Sequence, residues 1–206
     1  AAPRNANRVL RISTTAAQEV TTLENDLSAF GEGKKWEGCA LSSDGRIYAT
    51  PRNASHVLCI DPAAREAYAI GRDLSALGDH KFNVGAVLGL DGSTIFGIFR
   101  FSHAGGGKIL RITPPLDTPP STVSLIDAPP TEGGFDGFWY GGVLGVDGCL
   151  YFMPAGASQV LRFDPKTETC TLVGPDFSEH GGSKWLGGVT GDDEGRVIYG
   201  IPARDR

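Results

Sequence analysis

No apolar run in this 206-residue chain approaches the ~18 residues that a membrane-spanning helix requires. We therefore expect no direct membrane insertion. The chain also lacks runs of one charge, because its formal net charge of −5 is spread along the sequence without a basic patch that would attract nucleic acid. Nucleic acid is consequently disfavoured as a partner.

The cysteines form no Cys-x-x-Cys pair and share no common spacing; they are Cys39, Cys59, Cys149 and Cys170. This pattern predicts neither a zinc site nor a disulfide framework. We therefore expect free thiols. Free thiols favour a reducing compartment, but the localisation stays unknown. Asn53-Ala54-Ser55 is a formal N-glycosylation sequon whose use the sequence leaves open.

Glycine and proline are plentiful instead, with 29 and 13 residues and no collagen-like period. This composition is typical of an all-β chain whose short strands are joined by tight turns. Residues 1–10, AAPRNANRVL, recur at 49–58 as ATPRNASHVL, with seven of ten positions identical. The chain therefore contains internal repeats, which determine a fold more firmly than local propensities do.

The repeat length follows from a second pair of similar segments, which starts at Trp36 and Trp139. Both segments contain Asp-Gly, Tyr, Pro, Val-Leu and Asp-Pro in one order. The turn glycines Gly45, Gly92, Gly148 and Gly195 are 47, 56 and 47 residues apart. We predict four repeats of about 50 residues, at 3–50, 51–100, 101–153 and 154–201, within one domain that spans 1–206.

Each repeat is predicted to contain four antiparallel strands, which we name A to D. In the second repeat, strand A is 38–41 and strand B is 46–49, joined by a tight hairpin at Asp44-Gly45. Strand C is the unbroken apolar run 57–60, and strand D is 66–70. The links at 26–31, 73–78 and 176–181 begin with Asp and end with Gly, which predicts a single helical turn with a left-handed C-cap.

Four-stranded meanders that repeat every 40 to 50 residues indicate a β-propeller, in which blades surround a channel. Asp-Gly-x-Ile-Tyr at 44–48 and Val-Leu-x-Ile-Asp-Pro at 57–62 resemble the blades of NHL-type and SMP-30-like propellers, and the repeats extend this resemblance over the whole chain. The predicted fold class is thus all-β, a β-propeller of four-stranded antiparallel blades.

The phase of the repeats predicts one blade that is shared between the two termini. Residues 9–12 correspond to a strand C, and residues 197–201 correspond to a strand B. Antiparallel pairing of the two would close a ring and remove two open sheet edges. The alternative is a piece of a longer propeller, and the blade number stays open with it.

The predicted inner strands, at 38–41, 85–88, 141–144 and 187–190, carry no Asp, Glu, His or Lys. The SMP-30-like resemblance implies a metal-dependent lactonase, which would need carboxylate ligands at the channel mouth. We therefore predict no catalytic residue, no metal site and no cofactor, which leans against an enzyme.

An aromatic residue, usually with a lysine before it, precedes each inner strand. Together these aromatic residues could form a ring around the channel that stacks a sugar or binds an anionic peptide. The competing interpretation is that each aromatic side chain packs in the core between two blades. A long loop in the third repeat adds two further candidates. The candidate ligand-binding or partner-binding residues are Lys35, Trp36, Lys81, Phe82, Phe138, Trp139, Lys184, Trp185, Phe101 and His103.

Three functions are consistent with these patterns. The leading hypothesis is a non-enzymatic protein–protein interaction or scaffold module, a subunit of a larger assembly that contacts its partner mainly through residues 101–135. The first alternative is glycan or small-ligand binding at the aromatic-lined face. The second alternative is a metal-dependent, lactonase-like hydrolase.

Overall fold

The computed structural model describes residues 2–16, 18–82, 85–99, 107–114, 123–128, 138–191 and 194–203. Regular structure in these ranges consists of β-strands and short 3-10 helices, and none of the helices there is long and apolar enough to cross a membrane. The strands are β1 (Leu10–Ile12), β2 (Val20–Thr22), β3 (Trp36–Leu41), β4 (Ile47–Pro51), β5 (Val57–Asp61), β6 (Glu66–Ile70), β7 (Val87–Leu88), β8 (Ile95–Ile98), β9 (Lys108–Ile112), β10 (Val123–Asp127), β11 (Trp139–Leu144), β12 (Leu150–Pro154), β13 (Val160–Asp164), β14 (Thr169–Val173), β15 (Trp185–Thr190) and β16 (Ile198–Pro202).

Most of these strands belong to three four-stranded antiparallel sheets, β3–β6, β7–β10 and β11–β14, each ordered as in the chain. We call them the first, second and third blades. Two further sheets have two strands each: β1–β2 precedes the three blades in the chain, and β15–β16 follows them. The meanders confirm the all-β, propeller-like architecture that the repeats predict, and strand β6 has the predicted bounds.

The hairpin between the first two strands of a blade is stabilised by its own aspartate, as the turn sequence predicts. Asp44 Oδ1 accepts a hydrogen bond from the backbone N–H of Arg46 at 3.1 Å. The turn is wider than the predicted two-residue hairpin, because the backbone N–H of Ser42 donates to the carbonyl of Arg46. Gly45, at φ +82°, supplies the left-handed residue that closes it.

Each of the three links that begin with Asp and end with Gly contains a 3-10 helix, at Ser28–Phe30, Ser75–Leu77 and Ser178–His180. The aspartate before each helix accepts a hydrogen bond from the backbone N–H of its first serine. Gly78 ends the second helix with φ +75° and ψ −162°. This is an extended conformation that essentially only glycine adopts. The φ angle is positive as predicted, but the ψ angle is not that of a left-handed helical residue, so the predicted C-cap is wrong.

The hydrophobic core consists of clusters between one sheet and the next. Trp36 and Leu58 of the first blade pack with Val9 and Leu23 beside β1–β2. Two further clusters join the first blade to the second and the second to the third. Each blade therefore depends on its neighbours to cover its apolar faces.

Glycine pairs let the inner strands approach each other closely. A Cβ on Gly38 would lie 2.3 Å from the Cα of Gly85, and a Cβ on Gly141 would lie 2.7 Å from the Cα of Gly187. These distances are too short for any side chain, so the recurrent glycine at this position is a packing requirement.

The predicted pairing of residues 9–12 with residues 197–201 is not found among the strand pairs of the described residues. β1 is paired with β2, and β16 is paired with β15, in two separate sheets. Ile12, Tyr199 and Ile201 are 60%, 58% and 52% exposed. The ring closure and the blade number therefore stay predictions.

All four cysteines are free, as predicted. Cys59 and Cys149 are buried, whereas Cys39 is exposed. Burial raises the pKa of the Cys170 thiol to about 11, so this side chain stays protonated at neutral pH.

Candidate functional site

Two sets of loops meet on one face of the sheets: the connections between the second and third strands, and the links that enter the first strand. We call this the link face. Backbone hydrogen bonds join its loops from repeat to repeat: Lys35 N–H donates to the carbonyl of Arg4, Arg52 N–H to that of Lys35, and Lys81 N–H to that of Arg52, at 2.8–2.9 Å. Arg4 and Arg52 thus share one face although 48 residues separate them.

The three lysines of the predicted binding set are buried on this face. Lys35 Nζ donates to a side-chain oxygen of the preceding loop at 3.1 Å. Lys81 Nζ donates to the carbonyl of Gly78 at 2.6 Å, and Lys184 Nζ donates to that of Gly181 at 3.0 Å. Burial lowers the pKa of Lys81. The ammonium group of Lys35 connects two loops, and those of Lys81 and Lys184 bond to the turn just before each lysine; all three side chains are largely shielded from solvent.

The predicted aromatic residues lie mainly between blades. Trp36 and Phe82 are fully buried and Trp139 is 3% exposed, while Phe138 and Trp185 are half-buried. The indole of Trp36 donates to the carbonyl of His56 at 2.8 Å, and that of Trp139 donates in the same way to the residue twenty positions later. Neighbouring sheets cover these rings, which favours the packing interpretation over sugar stacking.

The two candidates from the third repeat, Phe101 and His103, lie outside the described residues. Most of segment 101–135 lies outside them as well.

A polar cluster on the link face escaped the sequence reasoning. Arg52 Nη1 forms a short ion pair with Glu37 Oε2, and Arg52 Nη2 lies 3.1 Å from Nδ1 of His80. Arg4 Nε lies 4.0 Å from the same Glu37 oxygen. We call Arg4, Glu37, Arg52 and His80 the arginine cluster.

Burial in the arginine cluster is graded from its centre outwards. Arg52 is 8% exposed, whereas the side chains of Glu37 and Arg4 are 34% and 50% exposed. Arg52 Nε is buried and has no hydrogen-bond partner in the described part of the chain. A buried guanidinium with one unused donor is unusual, because buried polar groups are nearly always paired.

The contact with Arg52 involves one ring nitrogen of His80. A guanidinium can only donate, so His80 Nδ1 is the acceptor of this hydrogen bond.

Local sequence positions His80 through an asparagine. Asn53 Oδ1 accepts a hydrogen bond from the backbone N–H of His80 at 3.0 Å, and His80 has a left-handed φ of +57°. The preceding repeat contains the same arrangement, because Asn5 Oδ1 accepts from Lys34 N–H at 2.8 Å and Lys34 has φ +50°. The same loop geometry therefore recurs in both repeats, but the residue in the left-handed position differs: it is Lys34 in one and His80 in the other.

The sequence reasoning missed Glu37 because it began the inner strand at residue 38. The observed strand β3 begins at Trp36 and includes Glu37, so the statement that the inner strands carry no acidic residue is wrong for β3. A signal was available in the repeated Pro-Arg-Asn of residues 3–5 and 51–53. Arg100 follows at the same spacing and lies outside the described residues.

Within the described ranges, no group of three or more His, Cys, Asp or Glu side chains could hold a metal ion. The arginine cluster offers different chemistry, since two guanidinium groups lie at a single carboxylate and one of them also contacts an imidazole. Such donors bind oxygen atoms of carboxylates, phosphates or polarised carbonyls.

No protein-family model and no curated protein matches this chain. Solved structures do match. Virginiamycin B lyase from Staphylococcus aureus is 16% identical with a TM-score of 0.61, and the match covers 98% of this chain and 64% of the lyase. A proposed gluconolactonase is 15% identical with a TM-score of 0.56, covering 94% and 63% of the respective chains.

An auxiliary nutrient binding protein from Bacteroides thetaiotaomicron is also similar, at 12% identity and a TM-score of 0.54, over 82% of this chain and 36% of that protein. The chain spans less than two thirds of the length of each of these three proteins. These similarities confirm a propeller-type repeat fold, as the SMP-30-like resemblance indicates, and at this identity they show the fold alone.

Proposed function

We propose that this chain binds a small ligand at the arginine cluster on the link face. The observation that carries the proposal is Arg52, a guanidinium that is 8% exposed and keeps one buried donor unpaired. A purely structural arginine would be expected to satisfy all its buried donors, because each unpaired one costs about 1–3 kcal/mol.

The surrounding residues support a binding role. Glu37 and Arg4 connect the buried guanidinium to solvent, since their side chains are partly exposed. Thr50 Oγ1 donates to the carbonyl of Glu37 at 2.6 Å and so fixes the strand that carries the carboxylate. The cluster thus combines a buried guanidinium with a partly exposed rim.

The structural neighbours add indirect support. Their names describe a lyase, a proposed gluconolactonase and a nutrient-binding protein, all of which act on or bind other molecules. This favours a ligand-binding propeller over a pure scaffold. We do not assign the reaction or the ligand of any of these neighbours to this chain, because each match is below 25% identity.

Binding of another protein is a second candidate function. It is favoured by the longer third repeat, in which the turn glycines are 56 residues apart where the others are 47. Insertions in surface loops are common sites of function. The proposal would fail if a complex with a partner left residues 101–135 uncontacted.

The ligand site can be tested by fragment screening with two-dimensional NMR. We expect hits to shift the amide signals of residues 35–37, 52–53 and 80, and Arg52→Gln to weaken them about tenfold or more, because a charge-assisted contact is lost. Arg162→Gln is the matched control, since Arg162 pairs with Asp147 at a hairpin turn and the net charge changes equally. Hits that map elsewhere would contradict the proposal.

We also propose that β1 and β16 are the central strands of one blade. In the first blade Tyr48 pairs with Cys59, and in the third Tyr151 pairs with Arg162. The repeat alignment places Tyr199 opposite Arg11 in the same way. An apolar groove of about 420 Å³ beside β16 and one of about 240 Å³ beside β1 lie where the missing strands would pack.

This pairing predicts that Arg11→Cys and Tyr199→Cys form a disulfide on mild oxidation, in a Cys39→Ser background. Thr21→Cys with Tyr199→Cys is the control pair, because Thr21 lies one strand further away on β2 and beyond disulfide reach. A crosslinked monomer is expected for a closed ring. A crosslink between two copies, or none at all, would contradict closure within one chain.

A further inference from the structure

We infer that a second ligand site lies between the second and third blades and takes a short zwitterionic peptide. The site is at the end of the strands opposite the link face, where the hairpins between first and second strands lie beside the turns between third and fourth strands. A cleft of about 800 Å³ opens there, which is a usual size for a small-ligand site. This inference does not depend on the arginine cluster.

The base of the cleft is apolar. Phe96 of the second blade is 3% exposed, and its ring packs against Phe163 of the third blade with 5.5 Å between the ring centroids. Leu90 lines the cleft and is 62% exposed. Two prolines also line it, Pro114 and Pro165. Such a surface gains by covering an apolar side chain of a ligand.

The hairpin aspartate of the second blade lacks the arginine that its counterparts have. Asp147 of the third blade lies 3.2 Å from Arg162 Nη2, and Asp44 of the first blade lies 3.8 Å from Arg46 Nη1. Asp91, which lines the cleft, accepts hydrogen bonds from its own hairpin only and forms no ion pair in the described part of the chain. Its carboxylate can therefore accept an ammonium group from a ligand.

The arginine at the equivalent strand position is engaged with the next blade instead. Arg111 holds the position that Arg162 holds in the third blade, since each lies opposite the aromatic residue of the second strand. Arg111 Nε donates to Ser124 Oγ at 3.1 Å, and its Nη1 forms an ion pair with Glu168 of the third blade. Its charge is thus matched by Glu168 and is not directed to Asp91.

Lys166 places an unmatched cation on the opposite wall of the cleft. It lies in the turn between the third and fourth strands of the third blade, and its exposed ammonium group makes no hydrogen bond or ion pair with the described residues. Asp164, two positions earlier, accepts from the backbone N–H of Lys166 at 2.9 Å. Among the described residues, the charged side chains that line the cleft are Asp91, Arg111 and Lys166.

The cleft therefore combines an unmatched anion, an apolar base and an unmatched cation. A short free peptide has the complementary groups, because it carries an ammonium group at one end, a carboxylate at the other and apolar side chains between them. The inference places the peptide N-terminus at Asp91 and its C-terminal carboxylate at Lys166. A simple cation or anion would satisfy only one of the two charges.

The test compares three probes of nearly the same shape: the dipeptide Leu-Leu, N-acetyl-Leu-Leu, which lacks the ammonium charge, and Leu-Leu amide, which lacks the carboxylate charge. Binding to the full chain is followed by two-dimensional NMR through the amide signals of residues 90–94 and 166–168. We expect Leu-Leu to bind about fivefold more tightly than either modified probe, because each modification removes one partly exposed ion pair.

Two variants assign the two ends of the peptide. Asp91→Asn keeps the side-chain oxygen that accepts the hairpin N–H groups, so the turn should form, and it should abolish only the preference for Leu-Leu over N-acetyl-Leu-Leu. Lys166→Ala should abolish only the preference over Leu-Leu amide. Asp44→Asn is the matched control, because it makes the same change in the first hairpin and should keep both preferences.

The outcomes are distinct from those for the arginine cluster. Equal binding of the three probes at the cleft would overturn the zwitterionic class, and unchanged preferences in both variants would overturn the assignment of Asp91 and Lys166. If the probes shifted only the signals of residues 35–37, 52–53 and 80, or none at all, the cleft site itself would be overturned, whatever the result for the arginine cluster.

Discussion

Replacement of Gly38 by alanine is expected to destabilise the protein by about 3 kcal/mol or more. The new Cβ would lie 2.3 Å from the Cα of Gly85 in the neighbouring repeat, and Gly38 has φ +75°, which an L-residue adopts at a cost. Backbone atoms cannot move aside as a flexible side chain can, so the inner strands must separate. The measurement is the free energy of unfolding from urea titration.

The control for this prediction is Gly45→Ala. Gly45 has a similar φ of +82°, but a Cβ at this position meets nothing within 4 Å. Its cost should be that of the backbone conformation alone, about 1–2 kcal/mol. Equal losses at both positions would show that the contact between the inner strands contributes nothing.

The second large effect is expected at Trp36. Trp36→Ala should lower the free energy of unfolding by about 3–5 kcal/mol, because it removes a fully buried ring from the cluster between β1–β2 and the first blade. It also leaves the carbonyl of His56 without the indole donor. Urea unfolding followed by circular dichroism would measure the loss.

Trp185 provides the matched comparison, since it holds the same repeat position at the start of β15 and is only half-buried. With β15–β16 as a two-stranded sheet, Trp185→Ala should cost clearly less than Trp36→Ala. In the closed blade proposed above, β1–β2 would cover the groove that Trp185 lines, and the two losses should be similar. The comparison therefore also tests the closed blade.

Many local elements of this fold were predictable because each depends on residues close together in the chain. The aspartate of the first hairpin bonds to the backbone two residues later, and the aspartates of the links do the same. Repeats reinforce these short-range signals, since the same phrase must form the same turn in each copy. The bounds of β6 were predicted correctly for this reason, while β3 began two residues earlier than predicted.

The burial of the aromatic and lysine residues could not be predicted in the same way. A tryptophan that precedes an inner strand has one local pattern whether its ring faces a ligand or the next blade. Only the packed sheets show that Trp36 is covered and that Lys35 serves to connect loops. Recurrence therefore identified structurally important positions but did not decide between packing and binding.

The amino-acid sequence by itself determined the repeat, the order of the strands and the turns between them, because these follow from local turn chemistry and hydrophobic pattern. Only the tertiary structure decided where polar side chains meet. Arg4, Glu37, Arg52 and His80 come from two strand connections, the start of β3 and the link after β6. Their electrostatic contacts depend on distances of a few ångströms in space, which backbone bonds between neighbouring loops set and which no spacing along the chain encodes.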